Sequence, residues 1–430
     1  MTRVGIIGLG TVGRGTYRIL REHRSLISQK TGLDVVLAGA AEIDAERREG
    51  FQEADPRFFR SAVELVDDPA IDIIVELVGG TGYAFDLIAA ALKKGKWVVT
   101  ANKALLAEKG NELFDLAEKA GCEIGFEASV CGGIPVIRAI RDGLVGNRIS
   151  YLLGILNGTS NYILSKMSEE GIPFDRALKD AQAAGFAEAD PTLDVEGLDA
   201  GHKLCILARL AFGYPLSMGD IGRGGISGIE PMDIAFAREL GYSIKLLAVA
   251  KEEDGVIEAR VAPAMLPSTH LMSGVNGVYN AVYVLGDRVG PTLYYGKGAG
   301  ADPTGSAVVS DIIDMAARMS IRCGKPGIRF WSGEKRIKKS AETVTSFYMR
   351  FKCEDRPGVL SRISGILADH GISISVVTQK GRKENEYVPV MMLTHEAAEG
   401  HLLDAKAEID RLPFIEGKSV HIRIEHGERS

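Results

Sequence analysis

A chain of 430 residues exceeds what one hydrophobic core ordinarily serves, so two or three domains are expected. With 46% hydrophobic and 25% charged residues it is globular in composition, and a formal net charge of −6 without a Lys/Arg run argues against nucleic acid or an anionic membrane as partner. The first apolar segment, Val4 to Leu9, is too short for a signal peptide or a membrane span, and later apolar runs are broken by Gly, Lys or Asp, so a cytoplasmic protein with no membrane partner is expected.

The first hundred residues alternate apolar runs with helical stretches, the pattern of a parallel sheet covered by helices. Val4–Ile7 reads as a strand, Val12 to about Ser28 as a helix, Val35–Ala40 and Ile71–Leu77 as further strands, and Gly79 to Gly82 as a loop. A helix from Tyr83 to about Lys94 leads to the strand Trp97–Thr100, then a helix through Ala120 and a strand near Glu123–Glu127. The breaker cluster Cys131-Gly132-Gly133-Ile134-Pro135 marks the entry to a second domain, with strands expected at Ser150–Leu156 and Val256–Pro263. A glycine-rich loop, Gly296 to Gly300, precedes a helix from about Ser306 to Met319, and a charged Gly/Pro-bearing stretch reads as a linker. The remainder has a βαββαβ pattern: strand Ser346–Cys353, helix Val359–His370, strands Ile374–Gln379 and Tyr387–Leu393, helix His401–Leu412 and strand Ser419–Glu425. The fold class expected is therefore α/β: an N-terminal Rossmann-type parallel sheet, an α+β substrate and dimerisation domain, and a C-terminal ferredoxin-like domain. Boundaries are placed at 1–130 (completed by about 300–320), 131–300, a linker at 321–345, and 346–430.

Gly8-Leu9-Gly10-Thr11-Val12-Gly13 is a GxGxxG motif between a strand and a helix. Its glycines permit a tight turn, approach of a pyrophosphate to the backbone and close helix packing, while the helix N-terminus offers N–H groups to the phosphates. A dinucleotide is the implied cofactor. Glu42 or Asp44, near the end of the second strand, suits the ribose 2′-hydroxyl of NAD, whereas Arg47 and Arg48 could neutralise the 2′-phosphate of NADP; the reading leans to NAD. A solvated helix start is the plain alternative for all four.

Asn102 and Lys103 follow the strand Trp97–Thr100, at the strand end where ligands of open α/β sheets sit. Between Gly185 and Lys203, the acids Glu188, Asp190, Asp194, Glu196 and Asp199 crowd ahead of an apolar helix. Asp199 and Lys203, four apart, share one helix face. A lysine near a helix N-terminus on a buried helix has its pKa lowered from about 10.4, nearby carboxylates opposing, and can give a proton to a developing alkoxide. The bland alternative is a surface ion pair. His202 faces away from Lys203 and is assigned to packing or surface. The histidines show no metal-binding spacing, and the five cysteines contain no CxxC pair, so neither zinc nor a disulfide framework is expected.

These residues resemble the homoserine dehydrogenases, in their monofunctional bacterial form with a C-terminal ACT domain. The likeness spans essentially the whole chain and is carried by Gly154 to Leu164 (GILNGTSNYIL), the acid-rich stretch Gly185 to Lys203, and Thr100-Ala101-Asn102-Lys103. It implies reversible reduction of aspartate 4-semialdehyde to homoserine, by direct hydride transfer, on the route to threonine, methionine and isoleucine. Lys203 matches the family's proton donor and Lys103 its second lysine. Glu188 matches the substrate-binding glutamate, Asp194 and Asp199 the acids completing the pocket, and amides around Asn157, Gly158 and Thr159 would receive the substrate carboxylate. Gly185 and Gly300 match glycines that approach the cofactor. Glu127, Val130, Gly132 and Ile134 match positions holding a monovalent cation, sodium, largely through carbonyl oxygens; an interdomain hinge is the alternative there.

Many members carry a basic residue where this chain has Glu42, which sets NAD against the usual NADPH. The ACT-like unit, with Asp355-Arg356-Pro357-Gly358-Val359-Leu360 at its first turn, implies threonine as a feedback effector, a purely dimer-forming domain being the alternative. A homodimer or homotetramer is expected from exposed sheet edges. The competing readings are another Rossmann–ACT dehydrogenase, such as prephenate dehydrogenase, and a non-catalytic nucleotide and amino-acid sensor.

Overall fold

Six short runs form the N-terminal parallel sheet: β1 (Thr2–Ile7), β2 (Val35–Ala41), β3 (Arg57–Phe59), β4 (Ile73–Glu76), β5 (Trp97–Thr100) and β6 (Ile124–Gly125), in the order β3-β2-β1-β4-β5-β6. The coordinates are a computed structural model that describes residues 1–48, 56–321, 335–379 and 386–425. Strands buried on both faces need continuous apolar runs, and Val4, Ile6, Ile7, Ile73, Ile74, Val75, Val98 and Val99 are all buried. The strand order reverses between β1 and β4, which opens the crevice where such sheets bind ligands.

Local physics departs from the sequence expectation at three places here. The strand β3 was not anticipated, because three residues opening with an arginine carry no period. The expected first long helix is broken at His23 into Thr11–Glu22 and Arg24–Thr31; the second piece has no buried residue to hold it in line with the first. The strand expected through Glu127 stops at Gly125, and Glu127–Ser129 forms a 3-10 turn.

Contacts divide the described residues into two units, one drawn from 1–158, 199–221 and 278–334, the other from 159–198, 222–277 and 335–430. In the first, the helix Ala301–Ser320 packs on the helix Thr11–Glu22. Glycines let their backbones meet: a Cβ on Gly15 would lie 2.0 Å from the Ala301 carbonyl oxygen, and one on Gly305 would lie 2.7 Å from the Thr16 nitrogen. Strands Ile149–Ile155, Tyr279–Gly286 and Gly290–Lys297 make an antiparallel ladder in the same unit.

The second unit is built on a hairpin of twelve-residue strands, Tyr242–Glu253 and Val256–Pro267, turning at Asp254 and Gly255, both with positive φ. Full-length pairing carries the second strand past Pro263, where the expected strand ended. The C-terminal βαββαβ unit comprises strands Phe347–Glu354, Ile374–Gln379, Tyr387–Thr394 and Val420–Ile424, with helices Val359–Asp369 and Glu399–Ile409. Phe347, Met349, Phe351, Ile363, Leu367 and Leu402 are in its core. Its last strand also pairs in parallel with the hairpin, Ala264 opposite Arg423 and Met265 opposite Ile424.

The expected linker over 321–345 is corrected in its described part, since 322–334 lie outside the described residues. Arg336–Ile337 pairs with Val256–Ile257, and Val344–Thr345 pairs with Ala397–Ala398. Charged composition hid two short strands that use sheet edges already present. Among the described residues, no helix is long and apolar enough to cross a membrane.

A buried ion cluster ties the strand Phe347–Glu354 to the helix Pro231–Glu239. Arg350 Nε donates to Asp233 Oδ1 at 2.7 Å, its Nη1 to Glu230 Oε1 at 2.6 Å, and the Tyr348 hydroxyl to Asp233 Oδ1 at 2.5 Å. Burial, then the Asp233 carboxylate, push the Tyr348 hydroxyl far above its ordinary pKa, so it remains a donor. Removing one partner of a buried pair strands the other charge, so Arg350→Met should cost about 3–5 kcal/mol of stability in urea unfolding, and adding Asp233→Leu should recover part of it.

Candidate active site

The carboxyl ends of β4 and β5 are locked together by Glu76, a buried carboxylate that sequence reasoning passed over as part of an apolar strand. Glu76 Oε1 accepts from the backbone of Val78 (2.8 Å) and Gly79 (3.1 Å), and Oε2 accepts from the Thr100 hydroxyl at 2.7 Å. The signal was an acid three residues ahead of a glycine turn whose N–H groups need an acceptor. Asn102 then caps the helix Lys103–Ala120 by accepting from Leu105 at 3.1 Å, while its amide donates to the Gly80 carbonyl at 2.7 Å. Lys103 therefore leaves a fixed strand end.

Asp199 opens the buried face of the helix Leu198–Phe212. Its Oδ1 lies 2.7 Å from Lys103 Nζ and its Oδ2 lies 2.7 Å from Lys203 Nζ. Asn157 Nδ2 also donates to Asp199 Oδ2, at 2.9 Å, and Lys203 donates to the Leu156 carbonyl at 2.6 Å. Burial alone would raise the Asp199 carboxyl, but the ammonium groups of Lys203 and Lys103 overcome it and hold the group far below the carboxylate range. Four sequence-predicted residues, Lys103, Asn157, Asp199 and Lys203, thus meet at one carboxylate. Lys203 is buried and Lys103 half-exposed.

Thr159, Gly185, Glu188 and Asp194 belong to the second unit. There the Thr159 hydroxyl donates to the Phe186 carbonyl at 2.7 Å and the Ser160 hydroxyl to the Asp194 carbonyl at 2.9 Å. These bonds tie the acid-rich loop to the start of the helix Gly158–Glu170. Glu188 is exposed, and its carbonyl accepts from the Gln182 amide at 3.1 Å. Gly158, counted with the first unit, sits so close to Val278 that a Cβ would lie 2.7 Å from that carbonyl oxygen.

The nucleotide turn has the required shape. Gly8 has φ +93°, and a Cβ on Gly13 would lie 2.1 Å from the Gly8 carbonyl oxygen, so the helix begins hard against the strand. Thr11, Val12 and Gly13 form the first turn of the helix, with Gly10 at its cap; nothing nearer than Arg47 Nη1, at 3.8 Å, would meet a Cβ on Gly10. A diphosphate can thus approach that surface. Glu42 turns towards the same loop, accepting from Leu9 N at 2.7 Å and Asp44 N at 3.0 Å. Burial opposes its ionisation, yet those backbone bonds hold its pKa below the ordinary value. Arg47 pairs with Asp44 at 3.2 Å, and Arg48 Nε donates to the Glu42 carbonyl at 2.6 Å. Gly300, with φ +123°, caps the helix Ala301–Ser320.

The Glu127 carboxylate is engaged with the backbone. Its two oxygens accept from the backbone of Ile137 and Arg138, each at 2.9 Å, and the Ile134 carbonyl accepts from Val136 at 2.8 Å. Cys131 and Gly132 both have positive φ, the former a strained conformation for a side-chain-bearing residue. Asp311 Oδ2 accepts from Glu127 N at 2.8 Å, and Arg138 stands 3.4 Å from Oδ1. Among the described residues no three His, Cys, Asp or Glu side chains cluster as a metal site would require. Cys122, Cys131, Cys205 and Cys353 are buried free thiols, and Cys323 lies outside the described residues.

A reversing parallel sheet with a glycine-rich turn, joined to a buried lysine–carboxylate–lysine arrangement, defines a nicotinamide-dinucleotide-dependent oxidoreductase. Three family models match in succession: "Homoserine dehydrogenase, NAD binding domain" over 8–127, "Homoserine dehydrogenase" over 135–313 and "ACT domain" over 347–414. A homoserine dehydrogenase of Neisseria gonorrhoeae is 44% identical over 427 residues, 98% of each chain. The crystal structure of one from Thiobacillus denitrificans superposes with a TM-score of 0.92 at 43% identity, over 99% of this chain and 98% of that one. A hyperthermophilic archaeal homoserine dehydrogenase in complex with NADPH matches at 27% identity and a TM-score of 0.63, over 76% of this chain and 99% of its own. The chain belongs to the homoserine dehydrogenase family. Its substrates are accordingly homoserine and the corresponding semialdehyde, and its cofactor is NAD or NADP.

Burial pushes the Asp311 carboxyl up to about 7, the Glu127 N–H and the guanidinium groups of Arg138 and Arg141 opposing it. Unfolded, the group would titrate near its ordinary value of about 3.9. The folded state therefore binds more protons between those values, and the stability contributed by the protonated form is complete below about pH 4 and lost as pH rises to about 7. In Asp311→Asn, denaturation midpoints between these pH values should fall less steeply than in wild type; parallel slopes would contradict the buried-acid assignment.

Proposed function

We propose that Lys203 is the proton donor in the reduction of aspartate 4-semialdehyde to homoserine, with Lys103 polarising the reacting oxygen. The observation that carries this reading is the shared Asp199 carboxylate, which holds both ammonium groups within 2.7 Å of one side chain. Bound nicotinamide supplies the hydride. Lys203, buried and fixed by Asp199 and the Leu156 carbonyl, meets few alternative orientations, so its proton is already aimed before substrate arrives. Asp199 accepts from both ammonium groups and so holds their N–H bonds in fixed directions. Glu188 is proposed to anchor the substrate ammonium, helped by Asp194, and the backbone at Asn157, Gly158 and Thr159 to receive its carboxylate.

For the cofactor, Gly8, Gly10, Thr11, Val12 and Gly13 are proposed to cradle the diphosphate, with Gly185 and Gly300 approaching from elsewhere. The lean is to NAD: Glu42 places a carboxylate beside the loop, where it favours a ribose hydroxyl over a phosphate. Arg47, near Gly10 and paired with Asp44, is the feature that favours NADP. Sodium, if bound at Glu127, Val130, Gly132 and Ile134, would rest on main-chain oxygens, because the Glu127 carboxylate is engaged with N–H groups.

The nucleotide, substrate and regulatory roles are assigned to 1–130 with 300–320, 131–300 and 346–430. Threonine is the proposed effector. A cytoplasmic homodimer or homotetramer is proposed from the outer strands Gly290–Lys297 and Ile374–Gln379, each at the end of a ladder.

Lys203→Ala should lower turnover by roughly 10²–10⁴-fold with little change in cofactor affinity, read by stopped-flow turnover beside cofactor titration; near-normal turnover would refute the role. Homoserine oxidation with NAD and with NADP, each with and without threonine, ranks the cofactors and tests the effector. Preference for NADP in wild type would overturn the Glu42 assignment, and indifference to threonine would leave the C-terminal domain without that ligand.

A further inference from the structure

We infer that Asn280 is a positioning residue for the proton-donating lysine, acting through the Leu156 carbonyl; this rests on the role proposed above for Lys203. Asn280 opens the strand Tyr279–Gly286 and is 1% exposed. Its Nδ2 donates to the Leu156 carbonyl at 2.9 Å, the same oxygen that takes the Lys203 ammonium at 2.6 Å. The carbonyl is therefore clamped between an amide and an ammonium, and the direction of its lone pairs fixes where Lys203 Nζ sits. Turning the amide over would set Oδ1 against the Leu156 oxygen, so the donor assignment follows from the network.

Two further contacts make this amide a junction rather than a filler. Nδ2 also lies 3.5 Å from the Cys131 thiol, at the residue whose backbone is held in a left-handed conformation. On its other side the amide lies against the glycine loop, where a Cβ on Gly298 would fall 2.2 Å from Cγ and Nδ2. Asn280 thus touches Leu156 at the end of the strand Ile149–Ile155, the Cys131 turn and the Gly298 loop.

The cost is visible: Asn280 Oδ1 is buried and accepts no hydrogen bond among the described residues. An apolar residue of the same volume would avoid that cost. What it would lose is the donor to Leu156. The retained amide therefore points to the geometry of the lysine rather than to stability.

The test uses the full-length enzyme with Asn280→Asp, nearly isosteric but unable to donate once ionised, and Asn280→Leu, which keeps the volume filled if the new acid does not fold. Semialdehyde reduction should fall on the order of 10- to 100-fold in kcat, the loss typical of a catalytic group displaced by about an ångström. Affinity for the nicotinamide cofactor, NAD or NADP, whichever supports turnover, should be unchanged. The solvent deuterium isotope effect on kcat should rise, because delivery of the proton becomes slower than hydride transfer. A folded variant with wild-type kcat overturns the inference. So does a lower kcat with an unmoved isotope effect and a reduced melting temperature, which would mark Asn280 as merely structural. Lys203→Ala, assayed alongside, separates the two readings: if it stays active, the lysine's role falls and takes the inference with it. If it is inactive while the Asn280 variants behave as wild type, only the Asn280 inference falls.

Discussion

Two ammonium groups on one buried carboxylate is an arrangement with little tolerance. Lys103 arrives from the end of a parallel strand, Lys203 and Asp199 from a helix nearly a hundred residues later, and Asn157 from the end of an antiparallel strand. Asp199 and Lys203 are taken out of water at a cost that only close approach of their partners offsets. The surroundings are accordingly stiff: Glu76 binds two strand ends, Asn102 caps the helix carrying Lys103, and Leu156 and Asn280 hold the second lysine. A site of this kind pre-arranges charge before substrate enters, which is where most electrostatic stabilisation in enzymes originates.

Much of this was legible in the residues because the signals are local. A glycine pattern between strand and helix, an acid and a lysine four apart on an apolar helix, and a lysine directly after a strand each state their geometry within a few positions. Glu76 and Asn280 were not legible for the opposite reason. Their bonds to Thr100 and Leu156 span 24 and 124 positions, respectively, which no short pattern announces; only the local bonds of Glu76 to Val78 and Gly79 had a signal in the glycine turn. The close helix crossing at Gly15 and Gly305 is of the same kind: both glycines are visible, but only the folded chain shows that they face each other. Short strands such as Arg57–Phe59 and Arg336–Ile337 were missed because pairing with an available edge, rather than propensity, makes them strands.

Glu42 illustrates a residue whose surroundings the sequence could not show. An acid at the end of the second strand suggests ribose recognition, yet the carboxylate also serves as an acceptor for the turn it faces, bonding Leu9 and Asp44. Substituting it would disturb the phosphate-binding turn as well as any sugar contact. A substitution that leaves the turn intact therefore calls for a replacement that still accepts those N–H bonds.

The parallel pairing of Ala264–Met265 with Arg423–Ile424 has a consequence for how the protein is made. Ala264 and Met265, near the end of the strand Val256–Pro267, are synthesised long before the segment that covers them. At ribosomal rates the interval is roughly 10–30 s, during which the stretch at Ala264 and Met265 presents unpaired backbone groups, while Gly222–Arg223, made earlier, already has its place beside Arg260–Val261. Such an edge recruits other nascent chains. The late strand thus acts as a seal applied well after the hairpin has left the ribosome, and that short edge is open to other partners until it emerges.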